Sequence, residues 1–497
     1  MTDGRRVTAA IGIYVLVLAG VGTVLGTWTD EEYTLATTAH GFAYAWHRAL
    51  DYEVQAPLYF AIVALWREAN ASVWFARLFS VGCAGFFFWA LLWIGRRVAP
   101  ERDPFAFAAI LACNPFVIWA ALEIRLYMFA LLLSALLWLA IDAGFAHGRD
   151  LRARIAFVAL AVVALYTQYF LGFFIMAYAV VLAAKRRWRA LGLYALALCV
   201  VGIAILPLLA YLHSQVGVSS LSRDPLAVLL RDALAHPWMD FVFPYEGSWD
   251  RWHVRWPYLA CVAFLIALGA FARPRLGGDV KAALLAAASV EFTYLLVVLV
   301  VRLGLHPRHY VALFLPLMVA AYTLVIALAR SRPRLATGFV AIHVALAGCV
   351  LATTYHALAK SGDARRVGPF LTAASWRGDA IAIFPADALP VYRRTYHGAV
   401  PLSPFPSALP KNRYDEAALV VYSESQAADA FHKLGTDGKH VWLIIEGNCD
   451  PEHPFDGCDH IVDAARKMHI LAEYDFYQSQ LLELEIRGSS GNQRTRS

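Results

Sequence analysis

The sequence predicts a polytopic α-helical membrane protein with an α/β domain at its carboxyl end. Three observations predict it. Of 497 residues, 60% are hydrophobic and only 16% charged, against roughly 25% charged in soluble domains. Windows of about 20 apolar residues, enough to cross a bilayer core of about 30 Å, recur over most of the chain. Beyond Lys360 the apolar runs shorten to strand length, which is the pattern of an α/β domain.

About 11 spans are expected, over 7–25, 73–95, 104–121, 124–143, 154–168, 170–184, 190–212, 257–271, 281–301, 309–329 and 335–355. The first is too long for a signal-peptide core and has no convincing cleavage site, so it stays as an anchor. Basic clusters at Arg5-Arg6, Arg96-Arg97, Arg149-Arg152, Lys185-Arg186-Arg187, Arg273-Arg275 and Arg330-Arg332 occupy every second inter-span position, and the positive-inside rule makes those turns cytoplasmic. The amino terminus is then cytoplasmic and 356–497 lies on the outer face, the periplasmic side of an inner (plasma) membrane. The net charge of +6 reports this topology and contact with anionic membrane lipids rather than nucleic acid, for which no basic-aromatic patch stands outside the cytoplasmic turns.

The chain divides into a membrane domain, 1–355, with long outer loops at 26–72 and 213–256, and an outer domain, 356–497. In the first loop Leu35, Phe42, Trp46 and Ala49 recur at helical spacing and suit a helix lying at the interface. In the second, Trp238, Trp249, Trp252 and Trp256 among His236, Asp240 and His253 suit headgroup depth, either as an aromatic belt or as a sugar platform. In the outer domain, strands are expected at 380–384, 419–421 and 441–445, helices at 425–434 and 459–468, and a proline-rich loop at 401–410. No glycine-rich phosphate loop follows any of these strands, so no nucleotide cofactor is assigned. Five cysteines, Cys83, Cys113, Cys199, Cys261 and Cys349, fall in spans. Cys449 and Cys458 share a polar outer loop, where an oxidising compartment lets them close a disulfide.

On this topology the polar residues that hydrocarbon excludes gather at the outer mouth: Asp30, Glu31 and Glu32, Arg77, Glu123 and Arg125, Gln168, His213, and Arg302, His306, Arg308 and His309. Carboxylates reach water from a span end less easily than arginine does, so several together mark a polar cavity. Guanidinium forks match phosphate oxygens, and a carboxylate beside them can take a proton from an incoming hydroxyl. Together these groups suit transfer from a lipid phosphate. Glu291, near the middle of a span, reads as a structural carboxyl.

Asp30-Glu31-Glu32-Tyr33, Pro57-Leu58-Tyr59 with Ala76-Arg77-Leu78-Phe79-Ser80, Asn114-Pro115-Phe116 with Glu123-Ile124-Arg125-Leu126-Tyr127, Tyr166-Thr167-Gln168-Tyr169, and Arg308-His309-Tyr310 before Pro316 occur in that order. This series resembles the ordered motifs of the GT-C glycosyltransferases, the superfamily of bacterial protein O-mannosyltransferases and lipid A aminoarabinose transferases. The resemblance covers the chain to about residue 330. It implies a GT-C membrane domain, a polyprenyl-phosphate sugar donor, a lipid, glycan or protein acceptor, and inversion at the anomeric carbon on the periplasmic side. Asp30 inherits the role of general base. Glu31 inherits that of a second acid, which places the acceptor or, in some relatives, a divalent metal. Arg125 and Arg308 inherit contacts to the donor phosphate, and Arg77, Glu123, Tyr127, Gln168, Tyr169, His309 and Tyr310 line the same pocket.

The chain departs from the pattern in three places. Gln55-Ala56-Pro57 replaces a His-Pro-Pro, Gln168 replaces a histidine, and His309 separates Arg308 from Tyr310, so that either Arg308 or His309 faces the phosphate. An O-antigen ligase or polymerase is the nearest rival reading. A transporter is further off, because no internal repeat or mid-membrane polar cluster is present. Sugar, acceptor, polyprenol and metal requirement are not encoded in any motif of the chain.

Overall fold

The computed structural model describes residues 4–215, 225–241, 278–302, 307–355, 360, 364–410, 414–415, 418–435, 439–446, 457–476 and 479–486. The expected span 257–271, most of loop 213–256, and Cys261, His306 and Cys449 lie outside the described residues, as does the side chain of His213. The chain forms two compact units. One comprises Met1–Thr23, Thr37–Leu50 and Gln55–Thr354, and the other Val24–Ala36, Asp51–Val54 and Tyr355–Ser497. The segment 24–36, counted with the membrane domain by sequence, thus packs with the carboxyl-terminal unit.

The first unit is helical. Among the described residues, seven helices are long and apolar enough to cross a membrane: Gly4–Val24 (α1), Val73–Val98, Tyr127–Ala146, Trp188–Tyr211, Lys281–Val301, Arg308–Ile326 and Pro333–Ala352. An eighth arises if the pair Pro104–Ala112 and Pro115–Leu122, bent by 60°, is one span. The bend is written in the chain: Pro115 cannot continue a helix, and Asn114 caps the new one, its side chain accepting from Phe116 N at 2.9 Å,. The expected spans 154–168 and 170–184 form helices Leu151–Leu165 and Leu171–Ala184 of 15 and 14 residues, shorter than the roughly 20 needed to cross. Between them the chain turns at 166–170. Leu16, Ile203 and Val300 lie exposed on outer faces, as helices solvated by lipid require, since their backbones are already satisfied internally.

The second unit holds a five-stranded sheet in the order β2-β1-β3-β5-β4, with β1 Ala380–Phe384, β2 Leu402–Pro404, β3 His440–Glu446, β4 His469–Phe476 and β5 Ser479–Glu485. β1 pairs in parallel with β2 and β3, Ile381 opposite Trp442, while β5 runs antiparallel between β3 and β4. β1 and β3 carry unbroken apolar runs because both faces are covered. On one face Ala382, Phe384, Leu443 and Ile445 meet Phe405, Phe431 and Ile461, the last two on helices Glu424–Leu434 and Cys458–Arg466. On the other, Ile381, Ile383 and Ile444 meet Val367, Leu371 and Tyr392.

The expected strand 419–421 is absent, and Val421 instead buries its side chain in the first of these cores. A strand does form inside the proline-rich loop, at Leu402–Pro404, where the edge position leaves a proline harmless,. Cys458 is disulfide-bonded.

Candidate active site

In the membrane unit the motifs sit where helices end or begin, except 76–80, which lies within helix Val73–Val98. Glu123 ends helix Pro115–Leu122 with extended backbone, and 123–126 leads into the next helix at Tyr127. All of it is buried: Glu123 is 0% exposed, Arg125 3% and Tyr127 3%. The Tyr127 ring stacks on Trp119 with centroids 4.9 Å apart. Arg77, 1% exposed, donates from Nη1 to the Gly22 carbonyl at 2.8 Å. The glycine gives Arg77 room, since a Cβ there would press on Arg77 Cδ at 3.2 Å.

The remaining motifs are linked by direct contacts. Leu58 N donates to the Tyr166 carbonyl at 2.9 Å, joining Pro57-Leu58-Tyr59 to the 166–169 turn, and buried Tyr59 packs on Phe79, two residues from Arg77. Gln168 is buried and its backbone N–H closes the end of helix Leu151–Leu165 on Ala164 O at 2.8 Å. Tyr169 follows, half-buried in the same turn. The His309 ring lies 5.0 Å from Phe170, the Tyr294 hydroxyl donates to the His309 carbonyl at 2.5 Å, and Tyr310, fully buried, packs on Tyr294 at 4.8 Å. Arg308 is half-buried in the 3-10 turn Pro307–Tyr310 that opens the next helix.

In the carboxyl-terminal unit the acids open the short helix Thr29–Thr37 (α2), all in its first turn, where the helix dipole favours negative charge. Glu31 Oε1 takes a hydrogen bond from Lys360 Nζ at 2.8 Å, and both side chains are 0% exposed. Glu32 is held from two sides: Arg394 Nε and Nη2 donate to its two oxygens at 2.5 and 2.8 Å, and the Thr27 hydroxyl donates to Oε1 at 2.5 Å. This carboxylate holds the Arg394 guanidinium above its ordinary pKa. Tyr33 packs against Tyr52 and Tyr414 at 5.9 and 5.6 Å, and the Tyr414 hydroxyl donates to Asp387 Oδ2 at 3.1 Å. Burial, with the charge of Asp30 adding to it, pushes the Asp387 carboxyl up to about 6. Burial and Asp387 push Glu446, at the end of β3, up to about 8. Among the described residues no group of three or more His, Cys, Asp or Glu is placed to hold a metal ion.

No protein-family model and no curated protein matches the sequence. Among solved structures, that of ArnT from Cupriavidus metallidurans bound to undecaprenyl phosphate superposes with a TM-score of 0.50 over 96% of this chain and 97% of that one, at 14% identity. The chain has the GT-C fold. ArnT in its apo state matches at TM-score 0.47 and 17% identity over 96% of this chain and 98% of that one. The arabinofuranosyltransferase AftD from Mycobacteria matches at TM-score 0.47 and 13% identity over 97% of this chain and 40% of that one.

Within the GT-C fold, the contacts above bring the motifs at 57–59, 76–80, 166–169 and 308–310 together in the membrane unit. Asp30 and Glu31 belong to the other unit, with segments far along the chain. Sequence reasoning singled out neither Lys360 nor Arg394. No local signal marks them, because each is recognisable only by the acid it meets across more than three hundred residues.

Proposed function

We propose that this protein is a glycosyltransferase that moves a sugar, with inversion, from a polyprenyl-phosphate donor to a hydroxyl of a lipid A, glycan or protein acceptor on the periplasmic side of the inner membrane. The observation that carries the reading is the fold shared along almost the whole chain with ArnT, a protein seen bound to undecaprenyl phosphate. The buried charged motif Glu123-Ile124-Arg125 at a helix break supports it.

In this reading Asp30 takes the proton of the acceptor hydroxyl as its oxygen bonds to the anomeric carbon, and the bond from that carbon to the phosphate oxygen breaks. Arg125 and Arg308, or His309 in place of Arg308, stabilise the negative charge of the departing polyprenyl phosphate. Arg77, Glu123, Tyr127, Gln168, Tyr169 and Tyr310 shape the donor pocket. Glu31 lies beside the base as the second acid, its charge balanced by Lys360.

The test is mass spectrometry of lipid A, O-antigen and periplasmic glycoproteins from cells with the gene, without it, and with Asp30→Asn. A glycoform that needs the gene and falls about 10²–10⁴-fold with Asp30→Asn is expected. An unchanged glycan profile in all three fractions would overturn the activity, and a glycoform at full level in Asp30→Asn would overturn the base. An active alkaline phosphatase fused after Lys360 is expected for the periplasmic side, and an inactive one would reverse the orientation.

A further inference from the structure

The acids of α2 are not alike in their surroundings. Adjacent residues in an α-helix point about 100° apart around its axis. Glu31 is tied to Lys360 and Glu32 to Arg394, so the helix is gripped at two points about 100° apart, and its rotation about its own axis is set. Asp30 then points about 100° to the other side of Glu31, away from Glu32. At 9 residues, the helix is too short to hold its shape by itself. Its entry is tied as well, with Arg365 Nη1 donating to the Val24 carbonyl at 2.7 Å. Lys360 keeps its grip at a φ of 84°, a backbone setting that side-chain-bearing residues seldom adopt and that marks a site under constraint.

We infer that Lys360 and Arg394 are positioning residues for the acid helix, two basic anchors from the carboxyl-terminal unit that fix the direction in which Asp30 is presented. The inference rests on the reading of Asp30 as general base. It gives the α/β unit a part in the chemical step. The anchors also leave α2 with the charge of Glu31 and Glu32 balanced, so the two acids neither repel each other out of the helical turn nor need water around them.

The test uses the full-length protein in two measurements. One is the gene-dependent glycoform made by complemented cells, per amount of folded protein. The other is binding of undecaprenyl phosphate to the purified protein by native mass spectrometry. Arg394→Gln and Lys360→Met are expected to lower product formation about 10²-fold, as displacement of a reacting group by about 1 Å does, with undecaprenyl phosphate affinity kept within about twofold. Lys360→Arg, and the exchange Glu32→Arg with Arg394→Glu, are expected to recover most of the lost product.

The Arg394 side chain is 45% exposed, so Arg394→Gln keeps the fold and decides the matter even where Lys360→Met does not accumulate. Full product formation in Arg394→Gln overturns the inference. So does a loss of undecaprenyl phosphate binding that matches the loss of product, since damage to the whole fold would do that. Full product formation in Asp30→Asn overturns instead the reading on which the inference rests.

Discussion

In the membrane unit, Arg77 gives its hydrogen bond to the backbone carbonyl of Gly22, Arg154 gives one to the carbonyl of Gly144 at 2.9 Å while lying over the Phe145 ring, and Arg97 and His147 meet on Asp142. In the carboxyl-terminal unit, two cations meet carboxylate side chains from the opposite end of the sequence, Glu31 with Lys360 and Glu32 with Arg394, beside the bond of Arg365 to the Val24 carbonyl. The difference follows from what each unit has to join. A helical bundle already satisfies its backbone within each segment, so its arginines settle on carbonyls at helix ends and on turns close by. The α/β unit recruits a piece of chain that no sheet ladder holds, and one buried ion pair, Glu31 with Lys360, and one half-exposed pair, Glu32 with Arg394, tie it down.

Four substitutions or titrations would break or sharpen this contrast. The largest effect is expected at Lys360→Met, which leaves the Glu31 carboxylate buried without its cation. Thermal unfolding of the full-length protein should show a loss of about 3–5 kcal/mol, and Glu31→Gln added to it should recover most of that. Equal stability of Lys360→Met and the parent would mean that the pair ties nothing down.

Next comes pH. Glu446 is raised from 4.5 to about 8 by burial, so between those values the folded chain keeps a proton that the unfolded chain has released. Stability must therefore fall as pH rises through this window and level off above about 8. Glu446→Gln should flatten the slope, by roughly 2–4 kcal/mol across the window, in melts recorded from about pH 5 to about pH 9. A slope unchanged in Glu446→Gln would place its origin elsewhere.

In the membrane unit, Arg77→Met should cost about 1.5–3 kcal/mol, the worth of a charged hydrogen bond given up at a buried carbonyl. A loss as large as that of Lys360→Met would erase the distinction between the units. The smallest effect is expected at Arg97→Gln. That side chain is 49% exposed, and a screened pair of this kind is worth less than about 1 kcal/mol. The same melts, repeated at high salt, should show it vanish.

What the sequence disclosed and what it hid divide along the same line. Apolar windows placed helices at α1, Val73–Val98 and Gly278–Val301, and unbroken runs such as 380–384 and 441–445 announced β1 and β3, since each of these signals is local. The lengths of Leu151–Leu165 and Leu171–Ala184 match the runs expected at 154–168 and 170–184; only the start of the turn between them escaped, because Gln168 is one polar residue among aromatic ones, too little to interrupt hydropathy. β4 escaped because His469, Glu473 and Asp475 alternate with apolar side chains along an edge strand, and a strand with one polar face carries a weak signal. The motif residues Arg77, Glu123 and Arg125 were legible as a series, and all three are buried. The environment of Glu31 was not legible: three successive acids look equivalent until Lys360 and Arg394 are placed beside two of them.

The ion pair between Glu31 and Lys360 closes a loop of 329 residues, and that distance is also a delay. Chains grow from the amino end at about 5–20 residues per second, so α2 leaves the ribosome roughly 15–65 s before its lysine does. For that interval the acids have no anchors from the α/β unit, and a helix of this length has no stable shape of its own. The membrane helices must be inserted around a segment that is still unfolded. The step that completes it comes only when the chain beyond Tyr355 emerges and folds. A chain that stalls or is clipped before Lys360 therefore lacks both anchors of the acid helix, whatever its membrane helices have done.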